Sequence, residues 1–415
     1  VRRVEEILLI AGLSWRNVWR NTRRSFLTFL TIVAGCTLIL FMRSLQNGGY
    51  EQMIEDSIAP VTGHMQIHEK GYRKNLTLEY AFKNDSSMIE AIRQIDGIMG
   101  ISPRIYTGGL LIFKDSSAGS EIYAVDPECE KKITTLHNYI LPGGRYLEAG
   151  DIRSIVLGNK LAENLGAKTG DTVSILSQGF DGSIAADSFI VRGIFRSPNA
   201  GYNRGLALIP LAQGNETFSM NNFISAYVIR ADETSSVDNL EGEIKKITRE
   251  ELEVVTWDRI MPEVLQFIAM DRVSSHIFVF ILYMIVAFGI LNTIQMSVFE
   301  RIRELGIMLS IGTSPVRIFS MVLIESFIIS VIGISAGLLC GWALSFYFTI
   351  YPIDFSGYQA EMEIYGMSTL VYYAKIKSYD FIVTASIILF LSLTFTAFPA
   401  GRAAKLNPVR AIRHL

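Results

Sequence analysis

The chain has 415 residues, of which 50% are hydrophobic and only 19% charged, with a formal net charge of −2. That balance argues against a purely soluble protein and a fully membrane-embedded one alike, and predicts a mixture of both. It leaves no basic footprint for nucleic acid, and the three cysteines, Cys36, Cys129 and Cys340, lie too far apart in sequence for a disulfide framework or a metal-ligand spacing.

Taken in chain order, residues up to Arg24 include LSWRNVWRNTRR, in which Leu13, Trp15, Val18 and Trp19 alternate with Arg16, Arg20 and Arg23. That mixture of aromatic and cationic residues predicts a helix lying in the cytoplasmic headgroup layer before the chain turns into the membrane. Phe26 to Met42 is then a first span, short and Thr-rich, helped by Leu45 or by snorkelling of its arginine flank. Leu38, Met42 and Leu45 end it with two readings open: core packing, or the wall of an outer-leaflet pocket for acyl chains.

Beyond the first span the pattern changes to short strands and helices. VTGHMQIHEKGY alternates as a strand with His64, Gln66 and His68 on one face, DSSMIEAIRQI reads as a capped helix ending before Gly97, and strands follow around Arg104 to Tyr106, Leu110 to Phe113 and Glu121 to Val125. From Pro127 to Pro210 the texture is mostly strand and turn. A strand, a helix from Ser236 to Thr248 and the strand LEVVTW then restore the alternation. This predicts an α/β unit split by a β-rich insert. PEVLQFIAMDRVSSHIF continues a helical apolar pattern through Val264, Phe267, Ile268 and Met270, a stalk leading into the second span.

Two long apolar runs, Ile277 to Phe299 and Ile318 to Ile350, bracket the amphipathic insert FERIRELGIMLSIGTSPVRI. Either run can cross a hydrocarbon core of ~30 Å, so the insert faces water between two spans. Ile302, Leu305 and Leu309 form its apolar stripe, Glu300, Arg301, Arg303 and Glu304 the polar remainder, and Gly312 the stop, with Ser314 and Pro315 opening the next helix. Asn292, Thr293 and Gln295 are expected to bridge helices near the inner end of the second span, and Gly333, Gly337 and Gly341 to form a smooth strip for close helix packing. Glu325 within the third span reads as a structural anchor at the interface or as a transmitter of motion. A fourth span, Phe381 to Ala400, completes the set.

Arginines and lysines cluster before the first span, in the insert and after the fourth span, whereas the loop Tyr351 to Asp380 carries Asp354, Glu361, Glu363 and Asp380 against Lys375 and Lys377. The positive-inside rule therefore predicts cytoplasmic termini and insert, with the large segment outside. GNKLAENLGAKTGD lacks the Gly-Lys-Ser/Thr of a phosphate-binding loop, because Ala167 stands between Gly166 and Lys168, and catalytic or metal motifs are likewise not in evidence.

LSWRNVWRNTRRSFLTFLTI, FERIRELGIMLSIGTSPVRIFSMVLIESF and FPAGRAAKLNPVRAIRHL together resemble the permeases of the MacB/FtsX/LolC–LolE superfamily of ABC transporters, most closely the lipoprotein-releasing LolC/LolE branch. The family's ExGxxxxxG core falls on Glu304, Gly306 and Gly312, and its PA-x-R-A-A-x-x-x-P-V pattern on Pro399 to Val409; Gly401 replaces a basic residue often seen there. The resemblance implies an α+β membrane protein with four transmembrane helices and a large extracytoplasmic α/β, Porter-like domain interrupted by a β-rich, Sabre-like subdomain. The implied layout is a cytoplasmic amphipathic helix at 1–24, the first span at 25–45, and a periplasmic domain at 46–272 with Porter-like parts 46–126 and 211–272 and a Sabre-like insert at 127–210. The second span at 273–299, a coupling helix at 300–314, the third span at 315–350, a loop at 351–379, the fourth span at 380–400 and a tail at 401–415 follow.

It further implies a bacterial inner-membrane subunit without enzymatic activity of its own or a cofactor of its own, ATP and Mg being bound by a separate cytoplasmic ABC ATPase dimer. Glu300, Arg301, Glu304, Leu305, Gly306 and Gly312 would be the docking set for that ATPase. A second identical or homologous permease chain, a lipoprotein or amphiphilic substrate, membrane lipid and a periplasmic chaperone or adaptor are the other implied partners, with SPNAGYNRG, Ser197 to Gly205, the candidate adaptor loop. Leu38, Met42, Leu45, Val264, Phe267 and Met270 are the candidate substrate pocket. MacB-like efflux of peptides or drugs, and an FtsX-like scaffold that relays ATPase motion to a periplasmic enzyme, are the alternatives.

Overall fold

The computed structural model describes residues 12–20, 22–232, 234–355, 357, 371–407 and 411. Glu361, Glu363, Pro408, Val409, Arg410 and Arg413, used above in charge and motif readings, lie outside the described residues, as does the side chain of Arg24. The chain divides into a membrane unit, Val1–Glu51 with Ile268–Phe355 and Val371–Leu415, and an outer unit, Gln52–Phe267 with Ser356–Leu370.

In chain order, a helical segment at 12–20 precedes α1 (Thr22–Ser57). The helix does not stop near Leu45, where the apolar run ends, but continues to Ser57 and passes into a π-helical turn, Ile58–Thr62. The outer unit then contains β1 (Met65–Glu69), α2 (Ser86–Arg93), β2 (Ile98–Phe113), β3 (Ser116–Val125), α3 (Pro127–Ile133), β4 (Ser154–Gly158), α4 (Asn159–Leu165), β5 (Thr172–Gln178), β6 (Ile184–Phe195), β7 (Leu206–Pro210), β8 (Ala226–Ala231), α5 (Val237–Ile247) and β9 (Leu252–Thr256). Asp85 caps α2 by accepting from the amides of Ser87 and Met88, and Asp126 caps α3 in the same way.

These strands form one nine-stranded sheet in the order β9-β1-β8-β2-β3-β7-β4-β6-β5. An additional antiparallel pairing of Gly109–Ile112 in β2 with Ser174–Ser177 in β5 closes six of them, β2-β3-β7-β4-β6-β5, into a ring. The β-rich stretch is therefore not a sheet apart. One strand, β2, pairs with β8 through Ile98–Arg104 and with β5 through its far half. The segments Arg104 to Tyr106 and Leu110 to Phe113, expected as two strands, are parts of this single strand, and Gly108-Gly109 between them lies inside it and not in a turn. A Cβ at Gly109 would sit 2.9 Å from Ile122 and 3.0 Å from the Leu176 carbonyl, so the glycine marks where a third strand approaches.

The outer core is apolar, with Ile67, Ile105, Leu157, Phe189, Ile209 and Tyr227 fully buried. Its most demanding polar feature is Arg104, wholly buried and paired through two nitrogens with Glu130 of α3, whose carboxylate also accepts from Thr134. Gln66 and His68 lie on one face of β1 as expected, His64 stands immediately before the strand, and all three are buried. His64 accepts the Ala231 amide and bonds the Thr234 hydroxyl, and His68 reaches the Ser225 carbonyl at 3.4 Å while stacking on Tyr72 at 4.8 Å. No group of three metal-ligating side chains occurs among the described residues. SPNAGYNRG is folded back on itself: Asn199 caps a helical turn, Ala200–Gly205, and buried Asn203 accepts from the Ser197 amide and donates to its carbonyl.

Among the described residues, four helices are long and apolar enough to cross a membrane: α1, α6 (Pro262–Glu300), α8 (Pro315–Ile350) and α9 (Ser378–Ala404). Between α6 and α8 stands the short α7 (Ile302–Ser310). At ~1.5 Å per residue, the 36 residues of α8 run about 54 Å, well beyond a ~30 Å core. Asp380, counted above among the loop charges, is instead in the first turn of α9, buried and bonded to Arg43 at 3.0 Å and Asn47 at 2.7 Å.

Candidate functional site: the insert and its ion-pair chain

The glycine strip is an intramolecular seam. A Cβ at Gly333, Gly337 or Gly341 would meet Ile32 at 2.9 Å, Cys36 at 2.6 Å or Leu40 at 3.0 Å, so α1 and α8 touch backbone to backbone. Thr37 donates to the Gly337 carbonyl at 3.1 Å on the same seam. The expected bridge from the second span differs, since Thr293 bonds the Gly289 carbonyl of its own helix at 2.7 Å and Asn292 is exposed. The polar cross-link is supplied by hydroxyls that the sequence reading passed over. Ser326 and Ser330 of α8 bond Ser392 and Thr396 of α9 at 2.5–3.2 Å, all buried.

At one end of this bundle lies α7. Gly312, at φ +98°, takes the left-handed conformation that ends the helix, and the Thr313 amide reaches the Met308 carbonyl at 3.0 Å. The apolar stripe turns inward as expected, most completely at Leu305, which joins the buried cluster with Val298, Ile318 and Met321. Gly306 is packed so closely that a Cβ would stand 2.5 Å from that of Ala411.

Arg301 differs from its expected role as a surface docking residue. It is buried, and its guanidinium bonds Glu325 of α8 at 3.0 Å and Glu304 at 3.3 Å. Burial of a guanidinium between two carboxylates makes it a clamp within the chain. Glu304 in turn pairs with Arg20, and the Arg20 charge and hydrogen bond hold its carboxyl below the usual carboxylate range. The result is a chain, Arg20–Glu304–Arg301–Glu325, running from the 12–20 helix through α7 to α8. Ser14 adds a bond to the Met321 carbonyl at 3.1 Å, and Val18 is buried, which locks the same helix onto α8. Glu325 thereby finds its partner, which no spacing rule could have named because the pair is 24 residues apart across a turn.

The residues that α7 shows to solvent are Arg303, Glu304, Ile307 and Ser310, followed by Ile311, 80% exposed, and Gly312; Glu300 is exposed just before it. Of the candidate substrate-pocket residues, Leu38, Phe267 and Met270 are exposed, and Met42, Leu45 and Val264 are partly buried.

This arrangement, four apolar helices with an amphipathic helix clamped between two of them and a large outer sheet domain, has counterparts. The model of the MacB-like periplasmic core domain matches residues 25–247, more than half the chain, and that of the FtsX-like permease C-terminal matches residues 276–408. The chain belongs to the MacB/FtsX/LolC–LolE superfamily of ABC-transporter permeases. Among its relatives in that superfamily is the lipoprotein-releasing system transmembrane protein LolC of Neisseria meningitidis, 20% identical over 98% of this chain and 99% of that protein. An uncharacterized ABC transporter permease of Methanocaldococcus jannaschii is 24% identical over 99% of this chain and 98% of its own length. The macrolide export ATP-binding/permease protein MacB of Wolinella succinogenes is 22% identical over 98% of this chain and 61% of the longer protein.

Proposed function

We propose that this permease couples ATP hydrolysis by a separate ABC ATPase to extraction of a lipoprotein or another amphiphile from the outer leaflet of the inner membrane, with α7 as the helix the ATPase pushes. The observation that carries the reading is the ion-pair chain. A helix of nine residues, clamped to α8 by the buried Arg301–Glu325 pair and tied more weakly to the 12–20 helix through Glu304, transmits a push to the spans. Docking is assigned to the exposed surface, Glu300, Glu304, Ile307, Ile311 and Gly312, while Arg301, Leu305 and Gly306 hold the helix from behind.

Within the membrane unit the acyl chain of the substrate is assigned to Leu38, Met42, Leu45 and Met270, a reading supported by their apolar chemistry and, at Leu38 and Met270, by exposure. Cytoplasmic termini, two permease copies per transporter and a periplasmic acceptor complete the proposal. The lipoprotein-releasing relative of Neisseria meningitidis aligns with 98% of this chain and 99% of its own length, which supports the lipoprotein reading.

Co-expression with a candidate ABC ATPase from the same organism should give a detergent-stable complex with substrate-stimulated hydrolysis. Ile311→Asp should abolish that complex. Gly401→Ala, where an added Cβ meets nothing within 4 Å, should keep it. Full binding and turnover in Ile311→Asp would sink the assignment of α7.

A further inference from the structure

The 12–20 helix is fastened to the membrane unit by Ser14, Asn17 and Val18 and pairs with Glu304 through Arg20, which leaves its tryptophan-bearing faces exposed. On those faces Trp15 and Trp19 are 48% and 61% exposed and meet edge to face, rings 6.0 Å apart. Arg16 and Arg20, one helical turn apart, form the adjoining exposed row, and Arg23 is exposed at the start of α1. Beside Trp19 opens a cleft of about 300 Å³ lined by Val18, Trp19, Phe26, Phe29, Ile329 and Ile332, with Thr22 and Ser25 as its polar members. An apolar slot lined by two phenylalanines and a tryptophan, with three guanidinium groups nearby in sequence and exposed, is complementary to one molecule with a hydrocarbon tail and an anionic head.

We propose that this cleft is a specific site for an anionic phospholipid of the leaflet at the α7 end. The acyl chain fills the slot, and the phosphate is held by Arg16, Arg23 and, in exchange with Glu304, Arg20. The exchange is the consequential part. The Arg20–Glu304 pair is about half exposed on both sides, so water already competes for it and its net strength is small. A phosphate offers Arg20 the same bidentate acceptor geometry as a carboxylate. When the lipid takes Arg20, Glu304 keeps only its bond to Arg301, and the 12–20 helix is released from α7 at that point. Leaflet charge would thus set how firmly the pushed helix is tied to the membrane-surface helix.

The test does not depend on an ATPase or on the transport reading. The detergent-purified full chain is exposed to mixed micelles carrying equal phosphatidylglycerol and phosphatidylethanolamine, and retained lipid is counted by native mass spectrometry. One phosphatidylglycerol should be retained in preference to phosphatidylethanolamine. Arg16→Gln and Arg23→Gln should each weaken retention about fivefold. Glu304→Gln, which frees Arg20, should strengthen it, an outcome that a merely unfolded variant cannot mimic. Trp19→Ala should lower retention of both lipids. Equal retention of the two lipids, or no response to Arg16→Gln, Arg23→Gln and Glu304→Gln, would identify annular lipid only and overturn the proposal.

Discussion

The two units of this chain bury apolar side chains alike but differ in what they expose and in how they use buried hydroxyls. In the outer unit the interior is apolar, built from Ile67, Ile105, Leu157 and Ile209, and Arg104–Glu130 is a guarded exception. In the membrane unit large apolar side chains such as Phe280, Ile285 and Phe390 are more than half exposed, while Ser326, Ser330, Ser392, Thr396 and Asp380 are inside. Water drives the first partition, because apolar area leaves it. In lipid that drive between helices vanishes, and association rests on close backbone approach and on hydrogen bonds with no other partner at hand. An exposed phenylalanine is therefore at home in one unit, and a buried serine holds that same unit together.

The contrast can be broken first at Arg104. Arg104→Ala leaves Glu130 buried without its cation, and should lower outer-unit stability by about 3–5 kcal/mol, seen as earlier loss of hydrogen-exchange protection in β2 and β8. Unchanged protection there would mean that water reaches Glu130 and that the outer interior is less apolar than described.

Acid should act next, and on the outer unit. Burial, aided by the Arg230 charge, pushes His64 down to about 4, and burial pushes His68 down to about 4. The unfolded chain, titrating near the ordinary 6.5, then binds more protons than the folded one between those values. Stability is fully present above pH 6.5 and is lost as pH falls toward 4, on the order of 3 kcal/mol for each histidine. Thermal unfolding followed from pH 7 to pH 4 should show the decline, reduced in His68→Gln; a flat profile contradicts neutral burial.

The smallest effect is expected in the membrane unit. Ser392→Ala removes the hydroxyl shared by Ser326 and Ser330, yet each serine can turn to another acceptor, so the loss should be about 0.6 kcal/mol. A shift in thermal midpoint as large as that of Arg104→Ala would show that the hydroxyl cluster, and not the glycine seam, holds α8 to its neighbours.

Local grammar made much of the chain legible. Apolar run length marked the spans, Gly312 and Pro315 marked the ends of α7 and α8, and Asp85 marked a cap, because each depends on residues within one or two helical turns. The glycine strip was equally visible, since periodicity along one helix reveals a smooth face. Legibility failed where partners are distant in sequence. Gly108-Gly109 looked like a break between two strands until β5 came to lie against it, and Asp380 looked like a loop charge until Arg43 met it.

The sequence by itself determined a four-span membrane chain with an amphipathic helix between two spans, because solvent preference and helix period are properties of contiguous residues. Only the tertiary structure decided which face of that helix is free. Arg301 carries the same charge as Arg303, and it is the contact with Glu325, made across the turn between α6 and α8, that turns one into a clamp and leaves the other exposed. Charge belongs to a residue, whereas burial and pairing belong to the neighbours that folding brings.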